Sequence, residues 1–268
     1  MTDRRLTPVN DRVGPGAVGR AGRVSQAVVD LCHTPDGPRD RQLLLGAGVT
    51  VFETHAGWHF VQAQADGYCG YVDAGIDPLA DDPVPTHRVA SFATHAYVAE
   101  DFKSPEATAL PFGAQVTVTD ERRTFFETPL GFVPKKHLRP LDRPFADPVT
   151  IAQLHFQVPY LWGGNSTRGI DCSGLIQAAL LACGQSCPGD SDLQRESLGA
   201  DASGPYKRGD LLFWKGHVGM MVDPDVMIHA NAHHMAVAYE PIQAATTRIA
   251  AQGDGPLLAH KRVPLSFE

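Results

Sequence analysis

One short stretch of the chain is written twice. Gly46-Ala-Gly-Val-Thr-Val51 returns as Gly113-Ala-Gln-Val-Thr-Val118, 67 residues later, and Gly70-Tyr-Val72 returns as Gly131-Phe-Val133, 61 residues later. The two elements keep their order. A repeat on this scale commits the chain to building one small supersecondary unit twice. The intervening runs, such as Val49–Phe52 and Trp58–Ala63, are rich in β-branched and aromatic residues and are set off by glycine-containing turns, so the unit is a β module. The reading places one module at 22–84 and the second at 85–142. Asp77-Pro-Leu-Ala-Asp-Asp-Pro-Val-Pro85 joins them, with the proline and acid content of a linker. Residues 1–21 carry Gly, Pro and Arg with little periodicity and read as a loose N-terminal arm.

From residue 143 to 268 the pattern changes. Asp147 can cap a helix running to Gln157, with Pro148 at its first position. The glycine-rich loop Trp162–Ile170 follows, and then Cys172–Ala182, with the apolar content of a buried helix. Strands are read at Asp210–Trp214, His217–Val222 and Val226–Ala230. Helices first and an antiparallel sheet afterwards is an α+β order.

The loop and the buried helix frame Cys172. Asp171 can cap the helix, which puts the thiol in the first turn, where unpaired amides carry roughly half a positive charge. That field favours thiolate, the nucleophilic form. A core cysteine packed beside Leu175 and Ile176 is an equal alternative on position alone. The stretch Gly216-His-Val-Gly-Met-Met-Val-Asp-Pro-Asp-Val-Met-Ile-His-Ala230 adds weight. Folded as a hairpin about Asp223, it sets His217 and His229 six residues either side of the turn, as facing neighbours. One histidine can then serve Cys172 as base and the other can orient it. Two ordinary histidines at strand ends are the plain reading. Zinc held by Cys172, His217 and His229, with His233 or His234, is a further alternative, but no pair has close ligand spacing, and neither metal nor cofactor is expected. Trp162 and Trp214 read as packing residues, with a cleft rim as a second place for them.

Bulk properties narrow the classes. Of 268 residues 43% are apolar and 20% charged, and the net charge of −7 argues against a general nucleic-acid binder. No run is long and apolar enough to cross a bilayer, and the first residues lack the apolar core of a secretory signal, so neither a membrane span nor a secretory signal is expected. The cysteines at 32, 69, 172, 183 and 187 are odd in number and include no CxxC pair. Cys183 and Cys187 are close enough for a local bridge but read better as small apolar fillers. A cytoplasmic location is the expectation.

Pro159-Tyr-Leu-Trp-Gly-Gly164, Asp171-Cys-Ser-Gly174, Gly209-Asp-Leu-Leu-Phe-Trp214, His217-Val-Gly219 and Ile228-His-Ala230, in that order, resemble the NlpC/p60 cysteine peptidases. The two β modules are similar to bacterial SH3 (SH3b) domains. The resemblance implies a papain-like α+β catalytic domain preceded by two small SH3-like β-barrels. It assigns Cys172 as nucleophile, His217 as general base and His229 as the orienting residue. The branch with two SH3b domains implies hydrolysis of the γ-D-glutamyl–diamino-acid bond of murein stem peptides with a free N-terminal L-alanine, in wall recycling or turnover; no obligate protein partner is evident in the sequence. It also implies substrate contacts from Asp171, Ser173, Ser191, Tyr68 and an acidic residue for which Asp40 stands, a shorter side chain than the glutamate frequent there. The family's proline-arginine-aspartate before the serine is Pro188-Gly-Asp190 here. A murein-peptide-binding protein, or a thiol acyltransferase or amidase on the same scaffold, are the competing readings.

Overall fold

The computed structural model describes residues 3–73, 79–80 and 84–264. The chain forms two compact units, Met1–Arg143 and Pro144–Glu268. The linker read at Asp77–Pro85 lies largely outside the described residues.

The first unit is all β. Its opening sheet contains β1 (Arg20–Val24), β2 (Val28–Cys32), β3 (Arg39–Leu44), β4 (Gly48–His55), β5 (Trp58–Ala63), β6 (Cys69–Asp73) and β7 (Leu79–Ala80), in the order β3-β2-β6-β5-β4-β1-β7. The strands that follow are β8 (His87–Val89), β9 (Ala93–Tyr97), β10 (Glu106–Pro111), β11 (Gln115–Val116), β12 (Asp120–Glu121), β13 (Phe125–Thr128), β14 (Gly131–Pro134) and β15 (Leu138–Pro140). They form the sheets β10-β9-β14-β13-β12 and β11-β8-β15. The five-strand order β3-β2-β6-β5-β4 is therefore repeated as β10-β9-β14-β13-β12.

The repeated residues occupy equivalent places in that topology. Tyr71, centre of the first triplet, pairs with Cys32, and Phe132, centre of the second, pairs with Tyr97. Gly46 and Gly113 both take left-handed backbone, φ 78° and 85°, which a side chain would disfavour. The first module closes over Val29, Leu31, Val49 and Val61, and the second over Val89, Leu110, Val116 and Val133, joined by Leu45 from the first. The copies differ in one respect: β4 runs unbroken, whereas its counterpart is split into β11 and β12.

The N-terminal arm is not loose. The Cys69 amide donates to the Arg5 carbonyl at 2.7 Å, and the Asn10 amide group donates to Glu53 and Tyr71 at 3.2 and 3.0 Å. Val13 is buried against Phe60 and Cys69. A chain with little periodicity still docks when it satisfies backbone donors left by a neighbouring sheet.

The second unit starts with α1 (Pro148–Leu154), capped by Asp147 and ending short of the expected Gln157. The small ladder of β16 (Asn165–Ser166) and β17 (Gly169–Ile170) leads into α2 (Cys172–Ala182). Then come α3 (Ser191–Ser197), β18 (Ala200–Asp201), β19 (Leu211–Trp214), β20 (His217–Met221), β21 (Val226–Asn231), β22 (Ala236–Pro241), α4 (Ile242–Ala251) and β23 (Ala259–Arg262). One antiparallel sheet gathers the longer strands in the order β18-β23-β19-β20-β21-β22. Leu175, Ile176, Ala179 and Leu180 of α2 are buried, and α2 packs on β20 and β21. The start of α2 is thereby brought to the hairpin that carries the histidines.

Candidate active site

The start of α2 is fixed by a carboxylate and by missing side chains. Asp171 Oδ1 accepts from the Gly174 amide at 2.7 Å and from the Ser173 hydroxyl at 3.0 Å, while Oδ2 accepts from the Gly163 amide at 2.9 Å. Such a cap is worth about 1 kcal/mol. The Asp171 amide donates to the Gly164 carbonyl at 3.1 Å, and a Cβ at position 174 would lie 2.4 Å from that same oxygen. The glycines of the loop and of the helix thus let two backbones touch, which fixes Cys172 at the start of α2, the helix that packs on β20 and β21.

Cys172 is 7% exposed, and its Sγ donates to the Gly216 carbonyl at 3.9 Å, one residue before His217. His217 Nε2 lies 2.8 Å from His229 Nδ1, and His229 Nε2 lies 3.0 Å from Glu240 Oε2. Arg248 grips the same carboxylate with two nitrogens, Nε to Oε1 at 3.0 Å and Nη2 to Oε2 at 2.7 Å. Cys172 and both histidines are legible in the sequence, whereas Glu240 and Arg248 are not. The available signal was periodic. Glu240 stands two residues beyond Ala238, the partner of His229 in the β21–β22 ladder, and so shares its face.

Two expectations are corrected by this geometry. The hairpin pairs Met220 with Ile228 and Met221 with Met227, so its centre is Pro224 rather than Asp223, and the histidines are diagonal rather than directly opposed. They still touch because diagonal neighbours share a face, and because Gly219 puts no side chain beside His229; a Cβ there would meet His229 Cβ at 3.4 Å. The second correction concerns charge. Burial, and then Asp171, push the Cys172 thiol up to about 12, outweighing the pull of the amides at the helix start. Burial, helped by His229 and Arg248, depresses His217 to about 3. Both shifts favour a neutral thiol beside a neutral imidazole over a standing thiolate.

The remaining predicted residues are placed as follows. Ser173 is buried, its hydroxyl committed to Asp171 and its carbonyl accepting from Gln194 Nε2 at 2.9 Å, so both residues brace the loop. Ser191 opens α3 and is partly exposed. In the first unit, Tyr68 is 2% exposed and belongs to the first module's core, with the Arg41 guanidinium 5.0 Å from its ring and Arg41 paired to Asp66 at 2.5 Å. Asp40 lies on β3 and pairs with Arg4 at 3.0 Å. Trp214 is buried and Trp162 is 70% exposed. Among the described residues the cluster of metal-ligating groups is His229, His234 and Glu240, not Cys172 with the two histidines. Within that cluster His229 Nε2 and Glu240 Oε2 are hydrogen-bonded to each other at 3.0 Å.

Fold and site together define an α+β domain equipped for thiol nucleophilic catalysis assisted by imidazole. Residues 157–250 match the NlpC/P60 family, and residues 31–75 match the bacterial dipeptidyl-peptidase SH3 domain. The second unit is an NlpC/P60 domain, and the first carries a bacterial SH3 domain. Among curated relatives, Dipeptidyl-peptidase 6 of Lysinibacillus sphaericus is 34% identical over 87 residues, 31% of each chain. Gamma-D-glutamyl-L-lysine dipeptidyl-peptidase of Bacillus subtilis (strain 168) is 40% identical over 81 residues, 27% of each chain. The matched stretches thus span under a third of the length of these relatives. A crystal structure of an NlpC/P60 family protein from Bacillus cereus ATCC 10987 shares the fold, with a TM-score of 0.76 at 19% identity, covering 91% of this chain and 100% of that one.

Proposed function

We propose that the protein is a cysteine peptidase of bacterial cell-wall peptides, cutting the γ-D-glutamyl–diamino-acid bond of stem peptides that begin with a free L-alanine. The observation that carries this reading is Cys172 at a capped helix start beside a hairpin whose His217 and His229 are 2.8 Å apart. The names of the matched relatives support the bond and the substrate class.

In this reading the proton of Cys172 passes to His217 as sulfur attacks the carbonyl, so the thiolate exists only along the reaction path. The tetrahedral oxyanion meets the Cys172 backbone amide at the positive end of α2. His217 then protonates the leaving amine, and water releases the dipeptide from the thioester. Ser191, Tyr68 and Asp40 remain proposed substrate contacts.

The cytoplasm is the proposed location, in recycling or turnover of wall fragments. It is supported by five cysteines that form no disulfide among the described residues.

The test is mass spectrometry of products from L-Ala-γ-D-Glu-diaminopimelate, its lysine counterpart and N-acetylated versions of both. Release of L-Ala-D-Glu from the unblocked peptides alone, abolished by Cys172→Ala, is the expected result. Undiminished cleavage by the Cys172→Ala protein overturns the mechanism, and equal cleavage of acetylated peptides overturns the free-amine requirement.

A further inference from the structure

We propose that Glu240 is a positioning residue that decides, through His229, which ring nitrogen of His217 is left bare for Cys172, and that Arg248 holds Glu240 to that task. The inference rests on the reading of Cys172 and His217 as the catalytic pair.

Protons can be counted along one line of side chains. Arg248 meets Glu240 through two nitrogens at 3.0 and 2.7 Å, a fork geometry that keeps a carboxylate ionised. Burial alone would raise the Glu240 carboxyl, but the hydrogen bonds from His229 and Arg248 outweigh it and hold the group well below the usual carboxylate range. An ionised carboxylate only accepts. His229 Nε2, 3.0 Å away, must therefore carry a proton. Burial also keeps His229 neutral, and a neutral imidazole has one N–H, so its Nδ1 is an acceptor. His217 Nε2 lies 2.8 Å from that acceptor and must donate to it. His217 Nδ1 is then the only ring nitrogen with an open lone pair.

His229 is 0% exposed, so no solvent competes to reverse the order. His234, whose ring lies 6.3 Å from that of His229, is exposed and turned to Asn231 through Nδ1 at 3.0 Å. The ladder supplies the geometry. Met227 pairs with Glu240 and His229 with Ala238, which makes Glu240 the same-face diagonal neighbour of His229, while α4 returns Arg248 over the same carboxylate. When the S–H bond of Cys172 breaks and its proton forms an N–H at His217 Nδ1, the new imidazolium keeps donating through Nε2 along a line that ends in negative charge.

Glu240→Gln is the decisive variant, because the amide can present an N–H to His229 Nε2 and reverse every donor in the line. In the full-length protein it is expected to lower kcat by on the order of 10²–10⁴-fold, the scale of a wrong catalytic tautomer, with KM within about twofold. Iodoacetamide labelling of Cys172 should slow in parallel. Nitrogen NMR of histidine-labelled protein should show His217 as the Nε2–H tautomer in the parent chain and as Nδ1–H in the variant. Glu240→Asp, which keeps an acceptor, should recover part of the rate. A folded Glu240→Gln protein with unchanged kcat, labelling and tautomer overturns the proposal. So does an Nδ1–H tautomer of His217 in the parent chain, a result that stands even if Glu240→Gln does not fold. If the parent chain cleaves no stem peptide, the proposed function fails, while tautomer and labelling still decide this inference.

Discussion

At the level of single residues, the chemistry turns on a thiol that is harder to ionise than its position suggests. A cysteine at a helix start is usually acidified by amide dipoles. Here the site is closed enough that desolvation wins, and Asp171, needed as the cap, adds a repelling charge to the same sulfur. The reactivity of Cys172 should then report base assistance rather than a resting thiolate. Alkylation by iodoacetamide is expected to rise steadily from pH 6 to pH 9 with no plateau below 7, and to slow at least tenfold in His217→Ala. A plateau near pH 5 would mean a preformed ion pair. The residue types were legible in the sequence because Asp-Cys-Ser-Gly and the two spaced histidines are local signals. The sign of the thiol shift was not legible, because it depends on burial of the start of α2, which packs on β20 and β21, strands distant in the chain.

Among the elements, what decides the site is how closely backbones approach. Gly164, Gly169 and Gly174 each sit where a Cβ would collide with a neighbouring segment, at 2.5, 2.6 and 2.4 Å respectively. Gly174→Ala must therefore displace either the Gly164 carbonyl or the first turn of α2. It is expected to cost about 1–3 kcal/mol of stability, by analogy with overpacking elsewhere, and to reduce kcat more than it raises KM. Urea unfolding and steady-state kinetics check both, and a fully active, fully stable variant would show that the loop is free to move. Helix starts could be read from sequence because caps are local: Asp147 and Asp171 accept from Val149 and Gly174 as their spacing predicts. The hairpin register could not, since a turn of Asp223-Pro-Asp225 admits neighbouring registers until Gly219 and Met227 pack. β22 and α4 carry Glu240 and Arg248, yet in sequence an isolated Glu and an isolated Arg look like solvated surface.

For the whole molecule, the consequence of burying imidazoles is sensitivity to acid. His155, 1% exposed with Nδ1 on the Ile151 carbonyl at 2.9 Å, is depressed by burial, as are His217 and His229 in the same unit. In the first unit His87 and His137 shift the same way. On unfolding these rings regain an ordinary pKa near 6.5. Below that value the unfolded chain binds protons that the folded chain refuses, so their contribution is intact above about pH 6.5 and is lost as the pH falls. Carboxylates held low, Asp147, Asp210 and Glu240, extend the loss below pH 4, because protonating them surrenders their hydrogen bonds to Arg208, Arg262 and Arg248. The melting temperature should therefore be level between pH 7 and 8, decline from about 6.5 and fall more steeply below 4. A His155→Gln chain removes one titrating ring without touching Cys172, and its decline between pH 7 and 5 should be shallower than that of the parent. Calorimetry across that range decides the point, and equal slopes in the two chains would mean that buried imidazoles do not set the acid limit of this fold.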